Sequence, residues 1–233
     1  MLISPHPEIR ISRHVIGREH APLLVVDNVL ADPERMVRKA ASRSFEKMPG
    51  MFPGIRSPAP LSYQSFLEAL LSPLLRETFD LEPGRFVFPM CHFSLVTQPP
   101  DTLHFLQRVP HIDSVSGQGL ATVHYLFRGR WGGTDFYRHR RSGFEYVDES
   151  RHAAYFECLA QESREQAAPA NNGYIDGDTA LYERVGDVEG VFNRLVVYRR
   201  NSLHSGRIDN GRPLPPDPQQ GRLSINAFID IAR

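Results

Sequence analysis

The second part of this chain is a succession of short β-strand candidates separated by turn residues, and this pattern most constrains the fold. From residue 86 onward, apolar and β-branched runs alternate with turns that contain proline or glycine. The strand candidates cover residues 86–97, 103–113, 120–127, 134–137, 190–198, 202–207 and 222–231. Many short strands that follow two helices predict a mainly β protein with flanking helices, folded as a double-stranded β-helix, which is a jelly roll of the cupin-like type.

The first 85 residues are expected to support this β structure. Residues 22–27 form an apolar strand candidate, and Asp32, followed directly by a proline, is typical of a helix start. Residues 48–60 are rich in proline and glycine and are expected to form a loop. A second helix is expected to begin at Ser62, where Pro73 is expected to kink or divide it.

We predict a single domain that spans residues 1–233. Residues 1–85 contribute N-terminal strands and supporting helices, and residues 86–233 contribute the jelly-roll core. An insertion is expected around 138–169, because residues 148–168 are rich in helix formers and predict a helix that crosses an end of the sheet. Specificity is expected to reside in this insertion, since loops on such a scaffold shape the mouth of a binding site. The same segment is compatible with a homodimer contact.

The charge balance and the few cysteines argue against several classes of protein. The 27 basic and 27 acidic residues cancel, so we expect no nucleic-acid partner. Cys91 and Cys158 are too few for a disulfide framework. The first residues lack the features of a signal peptide, and no apolar run has the length of a membrane span. We therefore expect a cytoplasmic protein without membrane association.

A histidine and an aspartate two residues apart form the first part of a candidate metal site. In an extended segment His111 and Asp113 project from the same face, and His204 follows a later strand candidate. Two imidazoles and one carboxylate form the set that holds non-haem Fe(II) and leaves coordination positions open. A His-x-Asp pair alone is a weak signal, which the strand setting of His204 strengthens. His124 is the main competing ligand, but it alternates away from Tyr125, so only one of these two faces meets the site.

An arginine and a serine on the last strand form a candidate anion receptor. Arg222 and Ser224 share one face of that strand. A fixed guanidinium beside a hydroxyl is a good receptor for the far carboxylate of a small keto acid. Arg207 and Arg212 lie nearer to His204 along the chain, but each sits close to glycine in a segment that fixes it poorly.

Together these segments resemble the Fe(II)/2-oxoglutarate-dependent dioxygenase superfamily, and in particular its prolyl-hydroxylase-like members. The Tyr-Leu pair at Tyr125 is similar to a strand of those members in which the tyrosine hydroxyl donates to the co-substrate carboxylate. The resemblance implies one set of residues that are both metal ligands and catalytic: His111, Asp113 and His204. It implies a second set that binds 2-oxoglutarate: Arg222, Ser224 and Tyr125.

The resemblance also implies a reaction. Members of this superfamily use Fe(II) and O2 to hydroxylate a substrate while 2-oxoglutarate is converted to succinate and CO2. The presence of Asp113 favours hydroxylation, because related halogenases have a small residue in its place. The substrate class stays open between a small molecule, an amino acid and a peptide.

Three other interpretations of the same residues remain. The chain is compatible with a jelly-roll binding protein that performs no turnover, and with a metal-free structural protein. A zinc-dependent hydrolase is the third, with the same two histidines and aspartate as ligands. It requires a general base near the metal, such as Glu145 or Glu183, and it leaves Arg222 and Ser224 unexplained.

Overall fold

The computed structural model describes residues 3–82, 84–165 and 173–232, which form two antiparallel sheets. The strands are β1 (Arg10–Ile16), β2 (Ala21–Asp27), β3 (Gly54–Pro58), β4 (Arg85–Val96), β5 (Leu120–Tyr125), β6 (Gly133–His139), β7 (Tyr182–Glu189), β8 (Arg194–Arg199), β9 (His204–Gly206) and β10 (Arg222–Ala232). The major sheet has the order β1-β2-β8-β5-β10-β4-β3, and the minor sheet has the order β7-β6-β9. This mainly β architecture with few helices confirms the predicted jelly-roll, cupin-like class.

The described residues include four α-helices, and local sequence explains where they begin and end. They are α1 (Pro33–Ala41), α2 (Leu61–Leu71), α3 (Leu75–Phe79) and α4 (Glu149–Arg164). At the start of α1, the Asp32 carboxylate accepts a hydrogen bond from the backbone N–H of Arg35 at 3.0 Å. A 3-10 turn at Ser72–Leu74 separates α2 from α3. The predicted break at Pro73 is therefore confirmed, since proline has no N–H to continue the helix.

The major sheet separates two apolar cores, as alternation along β10 shows. Leu223 and Ile225 point to the face that α1, α2 and α3 cover. Helix residues buried in that core include Met36, Tyr63, Leu67, Leu71 and Phe79. Arg222 and Ser224 belong to the opposite face, toward the minor sheet. One face of β10 therefore packs against α1, α2 and α3, and the other face is available to a binding site.

The second core lies between the two sheets. Phe136 of β6 and Val188 of β7 pack with Tyr125, Val196 and Tyr198 of the major sheet. The rings of Phe136 and Tyr198 meet edge to face, with centroids 5.2 Å apart. This packing fixes the minor sheet over the inner face of the major sheet.

The predicted strand at 103–113 is wrong. A 3-10 turn at Pro100–Thr102 precedes this fully described segment, which forms a second one at Phe105–Gln107, and within the segment only His111 makes a β-bridge. Pro110 removes a backbone donor that a strand ladder needs, just before the bridge. His111 and Asp113 therefore lie on a loop rather than on a strand.

Sequence reasoning did not predict β1, β3 and β7. The residues of β1 are mostly exposed, so they lack a buried apolar pattern. The strand β3 lies within 48–60, which was expected to be a loop. The strand predicted at 190–198 begins only at Arg194, because Asn193 has a φ of 65° and belongs to the turn after β7.

The predicted helix at 148–168 corresponds to α4, for which the Asp148 carboxylate accepts from the backbone N–H of Arg151. The end of that prediction, at 166–168, and the end of the predicted insertion, at 166–169, lie outside the described residues. No helix in the described ranges combines the length and apolar character that crossing a membrane requires.

Candidate metal centre and cavity

Backbone hydrogen bonds join the loop with His111 to the strand with His204. The backbone N–H of His111 donates to the carbonyl of His204 at 2.9 Å, and the reciprocal bond measures 3.0 Å. The backbone N–H of Asp113 donates to the carbonyl of Arg200 at 2.8 Å. Two regions that are distant in sequence are thereby held in a fixed register.

This register brings the three predicted ligands together. One ligand atom from each of His111, Asp113 and His204 lies within 4.8 Å of the other two. The two carboxylate oxygens of Asp113 lie 3.6 Å from the Nε2 atoms of His111 and His204, respectively. Two imidazole nitrogens and one carboxylate that converge in this way match the donor set of non-haem Fe(II) sites.

The ring of His204 is oriented by the backbone. Its Nδ1 lies 2.9 Å from the carbonyl oxygen of Ser202, which can only accept, so Nδ1 carries the proton. Nε2 then presents a lone pair toward Asp113. Carbonyl groups that fix a metal-binding histidine in this manner are a usual feature of metal sites.

His111 is held in its neutral form. Although 52% of its side chain is accessible, the residue lies in the wall of a cavity. Desolvation, helped by the nearby His204 and Arg56 and opposed by Asp113, lowers the pKa of His111 to about 4. A neutral imidazole is the form that ligates a metal.

The three candidate ligands line a cavity of about 570 Å³. This volume suits a small organic ligand. Its wall includes polar residues that lie on both sheets and in loops: Arg56, Thr134, Tyr174, Arg222 and Asn226. Its apolar lining includes side chains from α4 and from the loops before β3 and β5: Met51, Phe52, Leu106, Phe156 and Leu159.

Arg222 is a buried cation without a carboxylate partner. Only 5% of the residue is exposed, and burial lowers its pKa below the usual arginine value. Its Nε donates to the carbonyl of Trp131 at 3.0 Å, and one terminal nitrogen donates to the carbonyl of Gly133 at 2.8 Å. No carboxylate forms an ion pair with it in the part of the chain that the structure describes. A desolvated guanidinium in this state favours an anionic ligand.

Ser224 and Tyr125 lie beside Arg222 but do not line the cavity. They are paired across β10 and β5, on the same face of the major sheet. The Ser224 hydroxyl donates to the side-chain oxygen of Asn226 at 2.7 Å, and the Tyr125 hydroxyl is 2.7 Å from that of Thr134. Each of the two therefore contacts a residue that does line the cavity. Burial raises the pKa of Tyr125 to about 12, so its hydroxyl remains a donor at neutral pH.

The competing arginines and histidine have protein partners elsewhere. Arg207 forms ion pairs with carboxylates of the minor sheet, including Glu189, and Arg212 lies over the ring of Trp131 at 4.3 Å. His124 is on the helix-covered face, where its ring nitrogens lie 2.9 Å from the Tyr63 hydroxyl and 3.2 Å from Asn193.

The two glutamates named as general bases in the zinc hydrolase interpretation have other partners. Glu145 pairs with Arg138 and accepts backbone N–H groups of Arg18 and Glu19. Glu183 pairs with the same arginine at 2.7 Å. Neither glutamate lines the cavity, so this interpretation has no support from the geometry.

Sequence reasoning missed several cavity residues. Asn226 continues the alternation of Arg222 and Ser224 along β10, and that pattern was a usable signal. Tyr174 donates from its hydroxyl to the carbonyl of Gln98 at 2.7 Å, in a loop whose position the sequence does not indicate. Arg56 lies on β3, which was expected to be a loop.

Comparisons with known proteins show the family and the fold. The model of DUF6445, a family of unknown function, matches residues 7–229, and the chain therefore belongs to this family. No curated protein has a significant match to the sequence.

Two crystal structures of HygX from Streptomyces hygroscopicus are similar to this chain. One contains nickel and 2-oxoglutarate, and the other contains nickel, 2-oxoglutarate and hygromycin B. The sequence identities are 13% and 14%, respectively, and the TM-score is 0.52 in both cases. Each match covers 92% of this chain and 84% of the HygX chain. At this identity the likeness shows a shared fold.

Proposed function

We propose that this DUF6445 protein is a non-haem Fe(II)- and 2-oxoglutarate-dependent oxygenase that hydroxylates its substrate. One observation carries the proposal: Arg222, which is buried and pairs with none of the described carboxylates, lines the same cavity as a cluster of two histidines and one aspartate. The crystal structure of HygX, which shares the fold, contains nickel and 2-oxoglutarate, and this supports the binding of a metal together with 2-oxoglutarate here.

The metal is assigned to His111, Asp113 and His204. The donor set fits Fe(II), since three protein ligands leave coordination positions for a keto acid and for O2. The Ser202 carbonyl fixes the His204 ring, and the low pKa of His111 keeps its lone pair available. Asp113 supplies the negative charge that partly compensates the metal.

The distal carboxylate of 2-oxoglutarate is assigned to Arg222. The carbonyls of Trp131 and Gly133 hold the plane of the guanidinium, so little side-chain freedom is lost when an anion binds. Tyr125 and Ser224 are assigned supporting roles, through the Thr134 hydroxyl and the Asn226 amide, respectively.

The protein then binds, orients and shields the reactants. Fe(II), when bound, supplies the oxygen chemistry in which the substrate C–H becomes C–OH as O2 and 2-oxoglutarate become succinate and CO2. The apolar lining from Phe52, Phe156 and Leu159 limits the access of water to this reaction. Small molecules, amino acids and peptides remain the proposed substrates.

Anaerobic titration of the apo-protein with Fe(II) and then 2-oxoglutarate tests the proposal. We expect a weak visible charge-transfer band, which keto-acid chelation to such an iron site produces. Asp113→Ala is expected to lose the band because it removes a ligand. Arg222→Gln is expected to weaken 2-oxoglutarate binding by at least about 30-fold, since breaking a buried charge pair costs at least about 2 kcal/mol.

Arg38→Gln is a suitable control, because it removes a guanidinium from the surface of α1 and is expected to change neither iron nor 2-oxoglutarate binding. Circular dichroism of each variant reports whether the fold is retained. Stoichiometric iron without a band, and without measurable 2-oxoglutarate affinity, would show that the oxygenase assignment is wrong.

A further inference from the structure

Arg56 is a second cation in the cavity wall that lacks a carboxylate partner. Its Nε is buried and has no hydrogen-bond partner among the described residues, and no described carboxylate forms an ion pair with it. Its guanidinium carbon lies 4.1 Å from the centroid of the Phe52 ring. By contrast, Arg138 and Arg194 both bind carboxylates directly. An unpaired guanidinium in a cavity favours an anion there.

Asp113 attracts Arg56 without neutralising it. Desolvation lowers the pKa of Arg56, and the charge of Asp113 opposes that effect. The Asp113 oxygens instead face His111 and His204, at 3.6 Å each. Arg56 is therefore close to the candidate metal centre, while its own charge is still available to a ligand.

Arg56 and Arg222 lie on strands that β4 separates in the major sheet. Arg56 on β3 is paired with Ser94 on β4, which is paired with Ser224 on β10. Two strand spacings of about 4.8 Å place the Arg56 backbone about 10 Å from β10. The electrostatic neighbours also differ, because Arg222 interacts with Tyr125 and Tyr174 rather than with Asp113. The cavity wall thus carries two guanidinium groups for which the described residues provide no carboxylate partner, and the proposed co-substrate accounts for one of them.

Part of the cavity lining is both apolar and exposed. Met51 and Leu106 are both 49% exposed, and Phe156 is 40% exposed. All three line the cavity. Large apolar side chains left accessible around a concave site indicate a ligand with an apolar part.

We propose that Arg56 binds a carboxylate of the substrate that is hydroxylated, and that this substrate is a small amphipathic carboxylic acid. The inference rests on the proposed function, in which the distal carboxylate of 2-oxoglutarate belongs to Arg222. One guanidinium matches one carboxylate in a bidentate manner. A phosphate usually requires more donors, and the described wall near Arg56 offers no helix N-terminus to provide them.

Binding of matched acids and amides tests this inference. The probes are octanoate and 3-phenylpropanoate, each with its uncharged amide, titrated by calorimetry into anaerobic protein loaded with Fe(II) and 2-oxoglutarate. In the wild type we expect each acid to bind at least about 10-fold more tightly than its amide. In Arg56→Gln this preference is expected to disappear. In Arg56→Lys part of it is expected to remain, because lysine keeps the positive charge but cannot form the two parallel hydrogen bonds of a guanidinium.

The affinity for 2-oxoglutarate separates this inference from the proposed function. Arg56→Gln is expected to leave it within about 2-fold of the wild type, whereas Arg222→Gln is expected to reduce it strongly. Equal binding of acid and amide by the wild type would overturn the inference. So would a loss of 2-oxoglutarate affinity in Arg56→Gln as large as in Arg222→Gln, because Arg56 would then belong to the co-substrate site. An acid preference that depends on Arg56, without any keto-acid band, would instead refute the oxygenase assignment alone.

Discussion

Two buried histidines, His124 and His204, differ in what their ring nitrogens already bind. Both nitrogens of His124 have protein partners, the hydroxyl of Tyr63 and the side chain of Asn193. Of the ring nitrogens of His204, only Nδ1 has a hydrogen-bond partner among the described residues, the carbonyl of Ser202. A metal needs a free imidazole nitrogen, so the partners of the ring, rather than its burial, distinguish a structural histidine from a candidate ligand.

The environment of His124 predicts a loss of stability in acid. Desolvation lowers its pKa to about 4, and the hydrogen bond to Asn193 only partly opposes this. The unfolded histidine has a pKa of about 6.5, so between about pH 6.5 and pH 4 the unfolded chain binds the extra proton. The contribution of His124 to stability is therefore fully present above that range and is lost, up to about 3 kcal/mol, as the pH falls through it.

Urea unfolding from about pH 7 to about pH 4.5 measures this loss. His124→Gln retains polar contacts to Tyr63 and Asn193 but cannot take up a proton, so its free energy of unfolding is expected to fall less steeply with acid. An identical slope in wild type and variant would show that His124 does not titrate in this range. Far-UV circular dichroism at pH 7 confirms that the variant is folded.

Residues of the site were predictable where the alternation of side chains along a strand determines which face of the sheet they occupy. Arg222 and Ser224 follow from alternation along a strand, and Asn226 was available by the same argument. Arg56 carries no such signal, because it lies on an edge strand within a segment that is rich in proline and glycine. The prediction that Ser224 contacts the co-substrate directly stays a prediction, since its hydroxyl bonds to Asn226.

At the level of elements, α1 depends on the side chain that precedes it. The Asp32 carboxylate satisfies the backbone N–H of Arg35, which otherwise has no partner in the first turn. We expect Asp32→Ala to lower the free energy of unfolding by about 1 kcal/mol and Asp32→Asn to lower it by only a few tenths. The ion pair of Asp32 with Arg38 is exposed and 3.4 Å long, so its loss adds little.

Urea unfolding of the two Asp32 variants provides this measurement. Because α1 covers the face of the major sheet opposite the cavity, neither variant is expected to change 2-oxoglutarate affinity. Equal destabilisation by alanine and asparagine would show that the hydrogen bond to Arg35 does not stabilise α1.

Helices and strands were predictable when the segment that becomes buried also has an apolar or β-branched sequence pattern. The strands β4, β5 and β10 have long apolar or β-branched runs, and their predicted positions agree with the structure within a few residues. The exposed β1 obtains its hydrogen bonds from β2 rather than from apolar burial, so its sequence gives little indication. The error at 103–113 has the opposite cause: the segment is apolar but is a loop, and its apolar side chains, such as Leu103 and Val109, are buried without forming a strand.

At the level of the whole molecule, the cavity forms only when the two sheets come together. Arg56 and Arg222 belong to the major sheet, Thr134 and His204 belong to the minor sheet, and Asp113 lies on a loop tied to Arg200. The sequence predicted the fold class because alternation and turn residues are local signals. It did not predict the order of strands, since that order depends on contacts between distant segments.

This assembly predicts that metal and co-substrate stabilise the protein as a whole. A ligand at 100 times its dissociation constant adds about 2.7 kcal/mol to the free energy of unfolding. In thermal melts under anaerobic conditions, we expect the wild type to gain stability from Fe(II) and a further increment from 2-oxoglutarate. Arg222→Gln is expected to keep only the first increment, and Asp113→Ala is expected to lose both.

Hydrogen exchange locates the stabilised region. The backbone N–H groups of His111 and His204 bond to each other's carbonyls, so a metal held by both rings is expected to slow their exchange together. Amides of α1, on the opposite face of the major sheet, serve as the internal reference. Protection by Fe(II) that spared both histidine segments would place the metal elsewhere. Protection that is confined to these two segments, and absent in Asp113→Ala, would show that the metal is bound between the loop and β9.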